Sequence, residues 1–186
     1  MASAISHPVA AAAITSIFYR PFTPRAIWIA AVCCSIVPDL DFIGFRLGIR
    51  YGDLLGHRGL THSMVFAALL AALITLWLGR RLDPPLHRGR LWSCLFLVTA
   101  SHGVLDAFTN GGLGIAFFSP FSNERYFFPF TPILVSPLGI RPFLSGRGVA
   151  ILLTEIEWIW VPAAAIAALG ILWRRNANRW MSHERS

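Results

Sequence analysis

The stretch THSMVFAALLAALITLWL, residues 61–78, decides the fold class. Its 18 residues carry no Arg, Lys, Asp or Glu, and Gly-Arg-Arg follows at 79–81. A helix that crosses a lipid bilayer needs roughly 20 mostly apolar residues, with about 17 as the short limit. The stretch is therefore predicted to be a transmembrane helix that ends at a basic, water-exposed boundary.

Four further apolar segments accompany this one, over 5–19, 25–45, 91–108 and 149–173. The first is marginal in length, so it is expected either to span the bilayer or to pack half-buried on the others. Pro24 suits a helix start, and Pro162 is expected to kink the last helix. The predicted fold is all-α: an integral membrane bundle of four or five hydrophobic helices, forming a single domain over 1–186.

Residues 110–148 interrupt the helical pattern. They contain five Pro, and six Phe lie between 117 and 130. So many prolines exclude a regular helix or an inner strand. We expect a long Pro/Phe-rich loop at the membrane interface, which is either a lid over a site or a plain connector that covers the bundle.

The composition excludes an ordinary soluble domain. Hydrophobic residues make up 55% of the chain and charged residues 13%, with a mean hydropathy of +0.60. Such a chain has too little polar surface to stay in water, and its three cysteines are expected to be buried apolar side chains. The net charge is +7 and all sixteen basic residues are Arg, but they flank apolar segments. We therefore expect contact with membrane lipids and none with nucleic acid.

The arginines also predict an orientation. If the five segments alternate in direction, ten of the sixteen Arg lie at one end of the bundle, while seven of the nine acidic residues lie at the other. Cytoplasmic loops carry an excess of positive charge. The Arg-rich end is therefore expected in the cytoplasm, and the other end is expected to face outward.

Ionisable side chains gather at this outward end. The same alternation of direction brings together His7, Asp39, Asp41, His57, His62, His102, Asp106 and Glu155. His102 and Asp106 are four residues apart, hence on one helical face. Asp39 and Asp41 flank one residue where a helix is expected to end, so both are expected to turn the same way. Taken singly, each group is as well explained by a hydrogen bond between helices.

Together these groups predict a metal site. Imidazole and carboxylate are the ligands of zinc, manganese and iron, and buried ionisable groups in a membrane usually mark function. Eight ligands can hold one to three divalent ions. Zinc is the first expectation, with manganese or iron as alternatives.

The motifs around these residues resemble a known family. HRGLTHS at 57–63 is similar to the HRGxTHS signature of the YdjM-like membrane-bound metal-dependent hydrolases. PDLD at 38–41 and SHGVLDAFT at 101–109 are similar to the PDxD and SHxxxDxxT elements of that family. His7, Glu155 and the PFS of 120–122 also match, so the resemblance covers roughly residues 5–162. It implies a multi-pass protein of the bacterial inner membrane with hydrolase activity.

The expected function is metal-dependent hydrolysis of a phosphoester or other ester bond in a lipid-like substrate, by metal-activated water. The expected metal ligands are the eight residues named above. Among them His57 also completes the site or stabilises the leaving group, and Glu155 is a ligand or the base. Arg58 is expected to hold a phosphate or to anchor to headgroups, since guanidinium suits phosphate geometry.

Two alternatives belong to other classes of protein. One is an ion or proton carrier, and the other is a non-catalytic structural membrane protein. A carrier needs polar residues at the bilayer midplane or at both ends. Residues 63–78 are almost wholly apolar and Arg fills the opposite end, so the one-ended cluster favours the hydrolase. The sequence indicates no particular oligomeric state.

Overall fold

Six α-helices and a long irregular segment make up most of the described part of the chain. The computed structural model describes residues 1–20, 23–82, 87–137, 143–144 and 146–183, with side chains up to residue 174. The helices are α1 (Ser6–Phe18), α2 (Arg25–Ile36), α3 (Met64–Leu78), α4 (Arg88–Ala107), α5 (Gly146–Glu155) and α6 (Val161–His183). The described part of the chain contains no β-strand, so the all-α prediction is confirmed.

Two helical stretches are long and apolar enough to cross a membrane. They are Arg25–Leu47, with 23 residues, and Gly146–Arg174, with 29. The apolar helices α1 and α3 have 13 and 15 residues. At 1.5 Å per residue these reach only about 20 and 22 Å, against about 30 Å of hydrocarbon. A bundle of four or five spans is therefore not confirmed by the described residues.

The helix α4 occupies the centre of the molecule. It packs against α1, α2 and α3, and α1 packs in turn against α6. The N-terminal half of α4 is apolar and buried, through Leu91, Cys94, Leu95 and Val98. Ala31 and Ala71 face this half from α2 and α3 and let the helices approach closely. The buried polar residues of α4 all lie in its C-terminal half: Thr99, His102 and Asp106.

The three cysteines are only partly as predicted. Cys34 and Cys94 are free, buried thiols of the apolar cluster, but Cys33 is exposed. Successive residues of an α-helix are rotated by about 100°. When α2 turns Cys34 toward α4, it therefore turns Cys33 outward.

The α-helix α2 continues after Ile36 as a 3-10 helix. Pro38 has no amide hydrogen for a further α-helical bond, and a 3-10 helix over Val37–Leu47 follows Ile36. It ends at Gly48, whose φ of +79° suits glycine. A 3-10 helix has three residues per turn, so Asp39 and Asp41 lie about 120° apart. The two carboxylates therefore reach the same imidazole from different sides: Asp39 lies 3.7 Å from Nε2 of His62, and Asp41 lies 3.2 Å from its Nδ1.

A π-helical turn over Ile156–Trp160 joins α5 to α6 and ends two residues before Pro162. The proline ring clashes with the carbonyl four residues earlier, that of Trp158 in this turn, and a wider turn relieves such a clash. The kink at Pro162 stays a prediction. The Phe/Pro-rich loop is irregular from 110 to 137, but α5 begins at Gly146, inside the predicted bounds of 110–148. Residues 138–142 and 145 of that prediction lie outside the described residues.

Candidate metal centre

The segment His57–Ser63 is folded tightly against α4. Residues Leu60–His62 form a single 3-10 turn, and Ser63 caps α3 by accepting a hydrogen bond from the Phe66 amide at 3.1 Å. The turn meets α4 at Gly103, where a Cβ atom would stand only 2.9 Å from the His62 carbonyl oxygen. This close approach, which glycine permits, brings the His62 imidazole against His102.

Four side chains converge at this contact: Asp39, His62, His102 and Asp106. Each offers one ligand atom within 4.8 Å of all the others. All four side chains are buried, and those of His102 and Asp106 are fully so. They come from the 3-10 helix after α2, from the turn before α3 and from α4. The predicted pair of His102 and Asp106, four residues apart on α4, thus lies within one site.

The spacing of these atoms fits a tetrahedral ion. Ligands at 2.0–2.1 Å from tetrahedral zinc lie about 3.3 Å from one another. His62 Nε2 lies 3.1 Å from His102 Nε2, and His102 Nε2 lies 3.3 Å from Asp39 Oδ1. His62 Nε2 lies 3.7 Å from both Asp39 Oδ1 and Asp106 Oδ2. These four separations are near those of ligands around a tetrahedral ion, so the four side chains could hold one metal ion.

Hydrogen bonds fix which ring nitrogens face the site. Nδ1 of His102 lies 2.7 Å from the Ser35 carbonyl oxygen, an acceptor only, so it carries the proton. Nδ1 of His62 lies 3.2 Å from Asp41 Oδ2 and is protonated for the same reason. In the neutral imidazoles, both Nε2 atoms are then lone-pair acceptors. Among the described residues, Asp39 Oδ1, Asp39 Oδ2 and Asp106 Oδ2 also have no hydrogen-bond partner.

Asp41 forms a second layer behind these ligands. Its Oδ1 accepts from His57 Nδ1 at 2.6 Å, and its Oδ2 accepts from the Thr61 hydroxyl at 2.6 Å and the Arg58 amide at 3.1 Å. Asp41, His57 and His62 also lie close enough to form a metal-ligating trio. Because Asp41 is already saturated by donors, its geometry suits a carboxylate that orients His62 and His57.

We expect Asp41→Asn to weaken metal binding without abolishing it. The amide would turn a donor toward one of these groups and leave His62 and His57 poorly oriented. Loss of a residue that hydrogen-bonds a metal ligand typically lowers metal affinity by about 10–100-fold. Competition with a chelator measures the change. Asp53→Asn is the matched control, because Asp53 pairs with the exposed Arg50; equal affinities in both variants would contradict the role of Asp41.

Arg58 is fully buried beside the candidate ligands. Its Nε lies 3.4 Å from Asp106 Oδ2, and its guanidinium donates to the Gly111 carbonyl at 2.7 Å and the Thr109 hydroxyl at 2.9 Å. The backbone of Arg58 is left-handed, with a φ of +64°. These contacts with protein groups favour a role in holding Asp106 over the phosphate-binding role expected from the sequence.

His7 and Glu155 lie beside the four ligands and not among them. The His7 ring stacks on His102 with centroids 3.7 Å apart, and its Nε2 lies 3.5 Å from Asp106 Oδ1. Glu155 is fully buried, and its carboxylate accepts hydrogen bonds from Ser3 and Ser6. The structure therefore brings all eight predicted residues to one region but places them in different layers.

Arg125 ties the irregular segment to the site. Its guanidinium donates to the His57 carbonyl at 3.0 Å and the Tyr51 carbonyl at 2.9 Å, and it stacks over the Tyr51 ring. Burial raises the pKa of the Tyr51 hydroxyl and lowers the pKa of Arg125. The sequence suggested that Arg125 holds a phosphate, whereas its guanidinium bonds these carbonyl groups. The contacts of the Thr61 hydroxyl and the Ser35 carbonyl with the site were not predicted, because their partners are distant in sequence.

Spanning helical stretches and a buried His/Asp site define a helical membrane protein with a candidate metal centre. The family model described as YdjM inner membrane protein matches residues 1–180, and the chain belongs to that family. It is 34% identical over 155 residues to Inner membrane protein YbcI of Escherichia coli (strain K12), covering 82% of this chain and 86% of that protein. No solved structure matches the chain. The family resemblance noted in the sequence is confirmed.

Proposed function

We propose that the chain is a membrane-bound metal-dependent hydrolase that cleaves a phosphoester or other ester bond in a lipid-like substrate. One observation carries the proposal. Two buried Nε2 lone pairs, of His62 and His102, face each other at 3.1 Å beside carboxylate oxygens of Asp39 and Asp106 that lack hydrogen-bond partners. Buried acceptors that face one another are costly unless a cation lies between them.

A single shared proton would satisfy fewer of these buried acceptors than a metal ion would. A proton shared by the two imidazoles satisfies only the Nε2 pair. Among the described residues, the oxygens of Asp39 would still lack a hydrogen-bond partner, because the Arg58 guanidinium lies beside Asp106 and not beside Asp39. A divalent cation satisfies all four groups at once, and the mixed imidazole and carboxylate set favours zinc, manganese or iron.

The residues around the ion would divide the chemistry between them. Asp39, His62, His102 and Asp106 would hold the cation, which polarises the scissile bond and acidifies a water molecule when bound. His57 lies in the next layer, its ring centroid 5.6 Å from that of His62. Its Nδ1 proton is donated to Asp41, so its Nε2 is the basic nitrogen. We assign proton transfer at this Nε2 to His57.

An apolar cavity supports a substrate with a hydrocarbon part. It has a volume of about 420 Å³ and is lined by Met64, Val104, Phe117, Phe118, Tyr126, Phe127 and Phe128. The cavity is joined to the segments that carry the ligands, since the Met64 amide donates to the Phe117 carbonyl at 3.0 Å and Gly103, next to His102, packs against Phe117. Its volume is within the range of ligand pockets, about 300–1,000 Å³. An acyl chain in this cavity would bring its ester group toward the ion.

The orientation follows from the arginine distribution. Ten of the sixteen arginines lie at the end remote from the candidate site if the apolar segments alternate in direction. We therefore place the site at the outer face of the inner membrane, in a multi-pass chain. A lipid of the outer leaflet would then reach the cavity without crossing the bilayer.

The test is hydrolysis by purified protein in nanodiscs, loaded with zinc or manganese. Phospholipids are assayed for release of a phosphorylated headgroup or a fatty acid, and short water-soluble esters and phosphoesters are assayed in parallel. We expect turnover of a lipid substrate that stops when a chelator is added and returns with metal. His62→Ala is the matched inactive variant.

Two outcomes would contradict the proposal. Metal-loaded protein that hydrolyses none of these substrates, while it carries metal across vesicle membranes, would make it a carrier. Hydrolysis that persists in His62→Ala would locate the activity elsewhere. If the protein hydrolyses the soluble esters but no lipid, it is a hydrolase, but its substrate is not lipid-like.

A further inference from the structure

The carboxylate of Glu155 anchors the segment that precedes α1. It accepts hydrogen bonds from the Ser3 amide, from the Ser3 hydroxyl at 2.5 Å and from the Ser6 hydroxyl at 2.8 Å. Glu155, Ser3 and Ser6 are all buried. Three donors compensate the burial of one carboxylate, so Glu155 has a complete set of protein partners without a metal ion.

The same segment touches the candidate metal ligands. The Ala2 amide donates to Asp106 Oδ1 at 2.6 Å. His7, the second residue of α1, stacks on the His102 ring at an interplanar angle of 16°. One end of the segment thus fixes the carboxylate of Asp106, and the other end fixes the plane of the His102 imidazole.

The π-helical turn explains how Glu155 of α5 and Trp160 of the turn itself both bind this segment. Trp160 donates its indole hydrogen to the Ser6 hydroxyl at 2.9 Å, while Glu155 accepts from the same hydroxyl. Residues five apart in an α-helix differ in direction by about 140°. A π turn, with hydrogen bonds between residues five apart, brings them nearly into line. The turn at Ile156–Trp160 therefore lets both side chains reach Ser6.

We propose that residues 2–7 are a positioning segment of the metal centre, and that Glu155 is the positioning residue that holds them in place. This inference rests on the proposed metal site. The hydrogen bond from Ala2 occupies Asp106 Oδ1 and so leaves Oδ2 for the ion. In this arrangement Glu155 is neither a ligand nor the base, which are the roles that the sequence suggested for it.

The test compares Glu155→Gln with Glu157→Gln, since Glu157 is exposed two residues away. Metal affinity is measured by chelator competition on folded protein, and the cobalt-loaded forms are examined by visible absorption. We expect Glu155→Gln to bind metal about 10–100-fold more weakly, as for the loss of other outer partners. We expect its cobalt spectrum to keep the parent's band positions and intensity, because the ligands are unchanged.

Substitutions in the segment itself give a second route. Ser3→Ala removes one hydroxyl donor, whereas Ser3→Thr keeps it. We expect weaker metal binding in the first and nearly the parent's affinity in the second. If Glu155→Gln fails to fold, the two Ser3 variants still test the inference.

Three results would overturn the inference, and they are distinguishable. Unchanged affinity in folded Glu155→Gln and Ser3→Ala would show that the segment does not position the ligands. A cobalt spectrum that changes coordination in Glu155→Gln would make Glu155 a ligand. A parent protein that binds no cation at all would overturn the metal centre itself, and this inference with it.

Discussion

Purified His102→Ala protein is expected to contain no bound metal, whereas the parent is expected to contain about one equivalent, as for a single four-ligand site. His102 Nε2 lies at the middle of the donor set, 3.1 Å from His62 Nε2 and 3.3 Å from Asp39 Oδ1. The substitution removes one of four ligands and also the hydrogen bond to the Ser35 carbonyl, which links α4 to α2. Elemental mass spectrometry on detergent-purified protein measures the loss.

His87→Ala is the control for this experiment. His87 is an exposed imidazole at the other end of α4, where it accepts a hydrogen bond from the Arg90 amide. The control variant should retain the parent's metal content, because His87 lies at the opposite end of α4 from the proposed ligands. If His102→Ala is folded and retains the parent's metal content, His102 is not a ligand. If folded His62→Ala protein also retains the parent's metal content, the proposed metal centre is wrong.

The second large effect concerns stability, and it follows from the burial of Arg58. Arg58→Met is expected to lower the free energy of unfolding of the metal-free protein by about 3–5 kcal/mol, the usual cost of removing one partner from a buried ion pair. Asp106 would keep its charge without the guanidinium 3.4 Å away, and the Gly111 carbonyl would lose its donor. Denaturant titration in detergent gives the change.

Methionine is chosen because it has similar bulk and meets the same backbone strain. The left-handed φ of +64° at position 58 disfavours both side chains alike, so the comparison isolates the guanidinium. Arg125→Met is the control, since Arg125 is only partly buried and bonds carbonyl groups of the loop. A loss below about 1 kcal/mol in Arg58→Met, the value of an exposed pair, would contradict the burial of the ion pair.

The positions of the helices were largely predictable. Apolar runs bounded by arginine, proline or glycine gave the segments 61–78 and 91–108, and the helices run over Met64–Leu78 and Arg88–Ala107. The start of α3 is later than predicted because Thr61 and His62 belong to a 3-10 turn. Their side chains bond Asp41, twenty residues earlier, and this contact has no local signal.

The membership of the site was predictable, but the layers within it were not. The spacing of four between His102 and Asp106 predicts one helical face, and both side chains lie among the four candidate ligands. Nothing in the local sequence separates Asp39 from Asp41, because their different directions come from the 3-10 helix after Pro38. The partners of Glu155 are about 150 residues away, so its role required the folded chain.

The contacts between the start of the chain and Glu155 also set an order of assembly. Ser3 and Glu155 are 152 positions apart, and Ala2 and Asp106 are 104 apart. At roughly 5–20 residues per second of synthesis, Ser3 waits on the order of 8–30 s before Glu155 exists. During that interval the hydroxyls of Ser3 and Ser6 have no carboxylate to bond. Docking of residues 2–7 is thus a late event in biogenesis, which follows the synthesis of α5, although all four candidate metal ligands are made earlier.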